Sequence, residues 1–103
     1  MAYVTTDSIY YSSKATSVDI YANCVPYDSQ KHSYARASLV HKSSGSTIVM
    51  NTIVGLNGYI DFRNPLEIYP SDPRGTYYVF VGWYNSAGSL VHSARSNDIY
   101  LTS

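Results

Sequence analysis

The sequence predicts an all-β fold, an antiparallel β-sandwich of about seven or eight strands. Composition is the first reason, because β-branched residues and tyrosine are abundant. There are 12 tyrosines among 103 residues, whereas glutamate and glutamine, which favour helices, occur once each. The second reason is the alternation of apolar and polar residues over short segments. The third is the recurrence of turn residues about every ten positions, a spacing typical of a sandwich.

Length and charge limit the organisation of the protein and its partners. A chain of 103 residues fits one domain, 1–103, with a single hydrophobic core. Its hydrophobic fraction of 45% and charged fraction of 14% exclude a disordered chain. Because the formal net charge is zero, no bulk attraction to nucleic acid is expected, and no apolar run is long enough for a membrane span.

Cysteine content and the first residues bear on the compartment. Cys24 is the only cysteine, so no intrachain disulfide can form. The chain begins without a basic segment followed by an apolar stretch, so no secretory signal peptide is expected. We therefore expect either a cytoplasmic protein or an excised domain of a secreted or surface protein, and the sequence leaves the choice open.

The first half of the chain contains three segments with strand character. Residues 17–25 alternate between an apolar face that includes Cys24 and a polar face, which predicts a half-buried strand. In the segment 34–42 we expect the side with Ala35, Ala37 and Leu39 to face the core and Arg36 to face outward. A serine- and glycine-rich turn then leads to a returning strand over 47–54, whose register the pattern leaves open by one residue.

The second half contains the strongest strand pattern, over 76–85. Shorter strands are expected at 59–62 and 66–69 before it, and at 89–94 and 99–101 after it. Alternation within the long strand predicts which side chains are buried. The inward positions are Val79, Val81 and Trp83, and the outward positions are Tyr78, Phe80 and Tyr84.

A tyrosine, Tyr77, is followed by the alternating residues Val79 and Val81 and then by Asn85 and Gly88. This segment resembles the F strand and the F-to-G turn of fibronectin type III and related immunoglobulin-like domains. The resemblance implies an immunoglobulin-like or fibronectin type III-like sandwich. It also implies that Tyr77 is a corner tyrosine whose hydroxyl bonds to the backbone just upstream.

The sequence contains no motif that indicates catalysis or a cofactor. Its three histidines lack the close spacing of a metal site, and no Gly-x-Ser-x-Gly motif is present. Asp28 and His32 lie in one predicted loop and are interpreted as solvated polar side chains. We therefore expect no enzyme, no metal and no cofactor, with a small hydrolase as the least favoured alternative.

The tyrosines suggest a binding surface instead. Tyrosine supplies a large rigid contact area and a hydroxyl at small entropic cost. We expect Tyr21 and Tyr34 to join the outward residues of the long strand from neighbouring strands, and loop residues to add polar contacts. The candidate binding residues are Tyr21, Tyr27, Asp28, Tyr34, Tyr78, Phe80, Tyr84 and Asn85.

The function that these features favour is a non-catalytic binding or assembly module. Its Tyr-rich sheet face would recognise a protein partner or a second copy of the chain, as in a homodimer. The alternative is a lectin-like protein that binds carbohydrate by stacking sugar rings on tyrosines. Nucleic acid and a membrane span are not expected.

Overall fold

The computed structural model describes residues 2–24, 33–53 and 62–102, and these residues form an all-β structure of nine strands in two sheets. The strands are β1 (Ala2–Thr6), β2 (Tyr10–Tyr11), β3 (Ser17–Cys24), β4 (Tyr34–His41), β5 (Thr47–Ile53), β6 (Phe62–Glu67), β7 (Gly75–Tyr84), β8 (Leu90–Arg95) and β9 (Ile99–Leu101). The all-β prediction is confirmed. No helix that could cross a membrane occurs in these three ranges.

The strands are divided between a three-stranded sheet, in the order β1-β3-β6, and a six-stranded sheet centred on β7. One side of β7 pairs along its length with β4, which in turn pairs with β5. The other side is shared, with β9 opposite the start of β7 and β8 opposite its end. Strand β2 pairs with β9 in parallel, and the other pairings are antiparallel.

The hydrophobic core lies between the two sheets, and each long strand contributes every second residue to it. On β3 the buried positions are those predicted, including Cys24. On β4 the alanine side is buried, and on β7 the side that carries Trp83 is buried, both as predicted. Trp83 lies directly opposite Ala35, so a very small side chain faces the largest one in the core.

Two strands near the start of the chain were not predicted. In β1 only Val4 is buried, so its alternation is too weak to stand out in the sequence. The two residues of β2 are too few for any periodicity, and tertiary contacts hold them in place. The buried Tyr11 donates its hydroxyl to Asp7 Oδ1 at 2.6 Å, and burial together with that carboxylate raises the pKa of Tyr11.

Strand β6 differs from the two short strands predicted for this region. A single strand runs over Phe62–Glu67, through Pro65, and the rest of the predicted 59–62 segment lies outside the described residues. Proline is tolerated here because β6 is an edge strand of the three-stranded sheet. In β5 the open register is resolved by a bulge at Ile48, opposite Leu39 and Val40, after which Val40 pairs with Thr47.

The turn into β7 is held by the hydrogen bond expected of a corner tyrosine. Tyr77 is fully buried, and its hydroxyl donates to the carbonyl of Pro73 at 2.6 Å. Burial raises the pKa of Tyr77, and the His41 ring packs edge-on against it at 4.8 Å. The buried hydroxyl of Tyr77 therefore has its hydrogen-bond partner within the turn that precedes β7.

Candidate functional site

The outward surface of the six-stranded sheet is the candidate site. Alternate residues of β4 and β7 point away from the core there, and the antiparallel register sets Tyr34 opposite Tyr84 and Ser38 opposite Phe80. We call this surface the aromatic face. Its members are Tyr34, Arg36, Ser38, Met50, Tyr78, Phe80, Tyr84, Leu90 and Arg95.

The centre of the aromatic face is a stacked pair of tyrosines capped by an arginine. The rings of Tyr34 and Tyr84 lie 5.1 Å apart with 10° between their planes. The guanidinium carbon of Arg36 lies 5.4 Å from the first ring centre and 5.5 Å from the second. Arg36 forms no ion pair with any described residue, and its Nε is buried without a hydrogen-bond partner. Ring faces, rather than a carboxylate, hold this cation in place.

Gly82 allows the ring of Tyr84 to approach the backbone of β7 closely. A β-carbon at this position would lie 2.9 Å from the hydroxyl of Tyr84 and 2.9 Å from Cδ1 of Leu90. A bulge between Trp83 and Tyr84 sets Leu90 opposite Tyr84, so both side chains cover the glycine. The absent side chain of Gly82 thus shapes the centre of the site.

Positive charge predominates around Tyr78, at the end of the aromatic face away from Tyr34 and Tyr84. The guanidinium carbon of Arg95 lies 3.9 Å from the ring centre of Tyr78, and its NH2 group is 3.3 Å from Asp98 Oδ1. Lys42 Nζ lies 2.6 Å from the other carboxylate oxygen. The hydrogen bond from Lys42 is the main reason that the pKa of Asp98 is lowered. Two cations therefore share one acid.

The margins of the face are apolar and exposed. Met50 on β5 is 55% exposed, and Leu90 on β8 is 53% exposed. A second tyrosine pair, Tyr10 and Tyr100, stacks at 5.4 Å on β2 and β9, at the far end of the same sheet. Large exposed side chains of this kind, set around half-buried aromatics, are typical of surfaces that bind other molecules.

Four of the predicted site residues lie together on this face, and one does not. The four are Tyr34, Tyr78, Phe80 and Tyr84. Tyr21 lies on β3 in the three-stranded sheet, on the other side of the sandwich, so its expected place beside them is wrong. The reason is topological: β3 pairs with β1 and β6, not with β4 or β7.

The predicted loop residues have a different outcome. The Oδ1 atom of Asn85 accepts hydrogen bonds from the backbone nitrogens of Ala87, at 3.0 Å, and Ser89, at 2.9 Å. Its amide oxygen therefore closes the turn between β7 and β8. Tyr27 and Asp28 lie outside the described residues.

Several residues of the aromatic face were not singled out as site residues from the sequence. Arg36 was expected to point outward, but its position over two rings depends on the register of β4 against β7. Leu90 and Met50 lie on strands whose sequences resemble ordinary edge strands. Gly82, between Val81 and Trp83, was the one available signal, since a glycine inside a strand indicates a close approach or a bulge.

The outward surface of β1, β3 and β6 is a second polar and aromatic surface, which we call the opposite face. Tyr21 lies at its centre, with the guanidinium carbon of Arg63 5.0 Å from its ring and the ring of Tyr3 6.1 Å away. A cleft of about 600 Å³ runs beside Tyr21 and Arg63. Its lining also includes Thr5, Thr6, Asp7, Asp19, Ile20, Asn64 and Pro65.

The described residues contain no cluster of three or more metal-ligating side chains. Cys24 is fully buried, and burial raises the pKa of its thiol, which disfavours the reactive thiolate.

No protein-family model matches the chain, and no curated protein is significantly similar to it. The two outward faces therefore provide the basis for inferring function.

Proposed function

We propose that this chain is a non-catalytic binding or assembly module that recognises a protein partner, or a second copy of itself, through the aromatic face. The observation that carries the proposal is the stack of Tyr34 and Tyr84 beneath Arg36. Tyrosine and arginine are enriched in protein interfaces and dominate their binding energy. The exposed Met50 and Leu90 extend the contact area on both sides.

The architectural class that we propose is an immunoglobulin-like or fibronectin type III-like sandwich. Two features support this class: the hydrogen bond from Tyr77 to Pro73, and the division of the strands into β1-β3-β6 and a sheet built on β4 and β7. Such folds host many unrelated functions. The function is therefore argued from the aromatic face and not from the class.

The ring geometry favours a protein over a carbohydrate as partner. A sugar stacks on a ring face that is free, whereas Tyr34 and Tyr84 each turn one face toward the other ring and have the Arg36 guanidinium within 5.5 Å of their centres. What this face presents instead is a rigid aromatic surface with a cation set into it. That combination fits an apolar protein surface that carries an acidic side chain.

Photo-crosslinking from the aromatic face tests the proposal. Phe80 is replaced by p-benzoylphenylalanine, and the matched control carries the same residue in place of Ser71, which is exposed in the loop before β7. We expect a protein adduct from position 80 and none from position 71. The adduct forms in the purified protein if the partner is a second copy, and in an extract of the source if it is another protein. The captured protein is then purified, and its affinity is expected to fall about tenfold or more with Arg36→Ala.

A glycan array is run in parallel to test the carbohydrate alternative. A reproducible glycan signal that Tyr84→Ser abolishes, without any protein adduct at position 80, would overturn the proposal in favour of a lectin. Equal adducts from positions 80 and 71 would also contradict it, because the aromatic face would then have no preference for a partner.

A further inference from the structure

The two outward faces of the sandwich carry opposite charge. On the aromatic face, Arg36, Lys42 and Arg95 are opposed among the described residues by Asp98 alone. On the opposite face, the exposed acids Asp7, Asp19 and Glu67 outnumber the cations, which are Arg63 on β6 and Lys14 at the margin. The formal net charge of the whole chain is zero. The two faces therefore differ in the sign of their charge, although the chain has no excess of either sign.

The opposite face also has aromatic groups and a depression that could receive side chains. Tyr3 is 42% exposed beside Tyr21, and the cleft of about 600 Å³ next to Tyr21 is lined by Asp19 and Arg63. This volume is in the range of sites that hold groups larger than a single side chain. The carboxylate of Asp19 lies beside the cleft, with the hydroxyl of Ser17 2.9 Å from its Oδ1.

We propose that the aromatic face of one copy of this chain binds the opposite face of another copy. This inference rests on the proposed function and names a second copy as the partner. The cations around Arg36 meet the acids around Asp19, and aromatic side chains lie on both sides of the contact. A symmetric contact between two aromatic faces would instead bring Arg36 and Arg95 against the same cations of the other copy.

The contact is heterologous, because two different surfaces meet. Each added copy leaves one aromatic face and one opposite face free at the ends of the assembly, so growth continues beyond a dimer. We therefore expect the mass in sedimentation velocity at low salt to rise continuously with protein concentration. Raising sodium chloride from 50 to 500 mM is expected to weaken the association by on the order of tenfold, because exposed charges are screened.

Two variants disable one face each. Arg36→Ala removes the cation at the centre of the aromatic face, and the double variant Asp19→Asn with Glu67→Gln neutralises the opposite face without changing side-chain size. We expect each variant alone to associate at least about tenfold more weakly than wild type. Lys14→Ala is the charge control for Arg36→Ala. It removes a positive charge from the loop before β3, which borders the acidic opposite face beside Glu67, and we expect it to associate at least as strongly as wild type.

Mixing the two variants gives the decisive readout. Arg36→Ala retains an intact opposite face, and the double variant retains an intact aromatic face. A one-to-one mixture is therefore expected to form a complex of two chains and to stop there. This result also requires both variants to be folded, because each must contribute one working face.

Three results would overturn the inference. Wild-type protein that stays monomeric at all concentrations would contradict self-association, while a partner crosslinked at position 80 would leave the proposed function standing. Association lost in Arg36→Ala but unchanged in the double variant would indicate a symmetric contact of aromatic faces. Equal loss in Lys14→Ala would indicate an effect of net charge and not of the two faces.

Discussion

Trp83 and Tyr84 are neighbours in the sequence with opposite surroundings. Trp83 is fully buried between the sheets, whereas the half-buried ring of Tyr84 lies on the aromatic face against Tyr34. The difference follows from the two-residue period of a strand, which sends successive side chains to opposite sides. Substitutions at these two positions should therefore separate stability from binding.

Trp83→Ala should strongly destabilise the protein. Removal of the largest fully buried side chain leaves a cavity that the strands cannot fill, and we expect the free energy of unfolding to fall by about 3 to 5 kcal/mol. Urea unfolding followed by far-ultraviolet circular dichroism measures this loss. A fall of less than about 1 kcal/mol would contradict the core position of Trp83.

Tyr84→Ser should have the reverse profile. It removes one stacked, half-buried ring from the aromatic face. The loss of the stack is expected to cost about 0.5 to 1.5 kcal/mol of stability beyond the lost burial of that ring, well below the cost of Trp83→Ala. Association or partner binding should nevertheless fall about tenfold or more. The control is Tyr10→Ser, which removes one ring of the stacked pair with Tyr100 outside the aromatic face and should leave binding unchanged.

At the scale of elements, the break between β8 and β9 depends on Ser96. The chain leaves regular pairing there, and Ser96 bonds Val79 twice: its hydroxyl accepts from the backbone nitrogen of Val79, and its own nitrogen donates to the carbonyl, each at 2.8 Å. The side chain replaces a backbone acceptor that the break removes. Two short strands can thereby share one side of β7.

Ser96→Ala tests this role. The substitution leaves the buried N–H group of Val79 without its acceptor, and we expect a loss of about 1 to 3 kcal/mol in the free energy of unfolding. Ser93→Ala on the exposed side of β8 is the control, with an expected change within about 0.5 kcal/mol. Equal effects of the two substitutions on the urea midpoint would show that the hydroxyl of Ser96 is not needed.

The ion pairs of Asp98 connect the segment after β4 with the turn between β8 and β9. Lys42 and Arg95 hold the pKa of Asp98 below its ordinary value, so the pairing stabilises the folded protein above the ordinary pKa of aspartate, about 4. This contribution disappears as the pH falls through the lowered pKa. We therefore expect wild type to be more stable than Asp98→Asn at pH 7, with the difference closing in acid. A urea midpoint difference that stays constant from pH 7 to pH 2 would contradict the ionic origin.

At the scale of the whole molecule, the aromatic face is assembled from strands that are distant in the sequence. Strand β4 pairs with β7 across more than thirty intervening residues, and β8 returns on the other side of β7. The opposite face is assembled in the same way from β1, β3 and β6. The separation of charge between the faces therefore arises from topology, since no segment of the chain has a run of one sign.

Local pattern was sufficient for the features that depend on one strand. Alternation identified the buried sides of β3, β4 and β7, and the resemblance of the β7 segment to fibronectin type III domains implied the hydrogen bond of Tyr77 to the backbone upstream. It missed β1 and β2, because a strand with a single buried side chain has no clear period. Strand β6 was not predicted as one strand because it contains Pro65. Proline is acceptable inside a strand only at the edge of a sheet, and the pairing of the whole sheet decides which strands are edges.

The sequence by itself determined the all-β class, the buried sides of β3, β4 and β7 and the outward direction of Tyr34, Tyr78, Phe80 and Tyr84. These properties follow from steric preferences and from a period of two residues, which act within a strand. Only the tertiary structure decided that Tyr21 belongs to the other sheet, that Arg36 lies over two rings and that Gly82 is covered by Leu90. Those relations depend on which strands pair and in which register, and pairing is decided by the packing of the whole core.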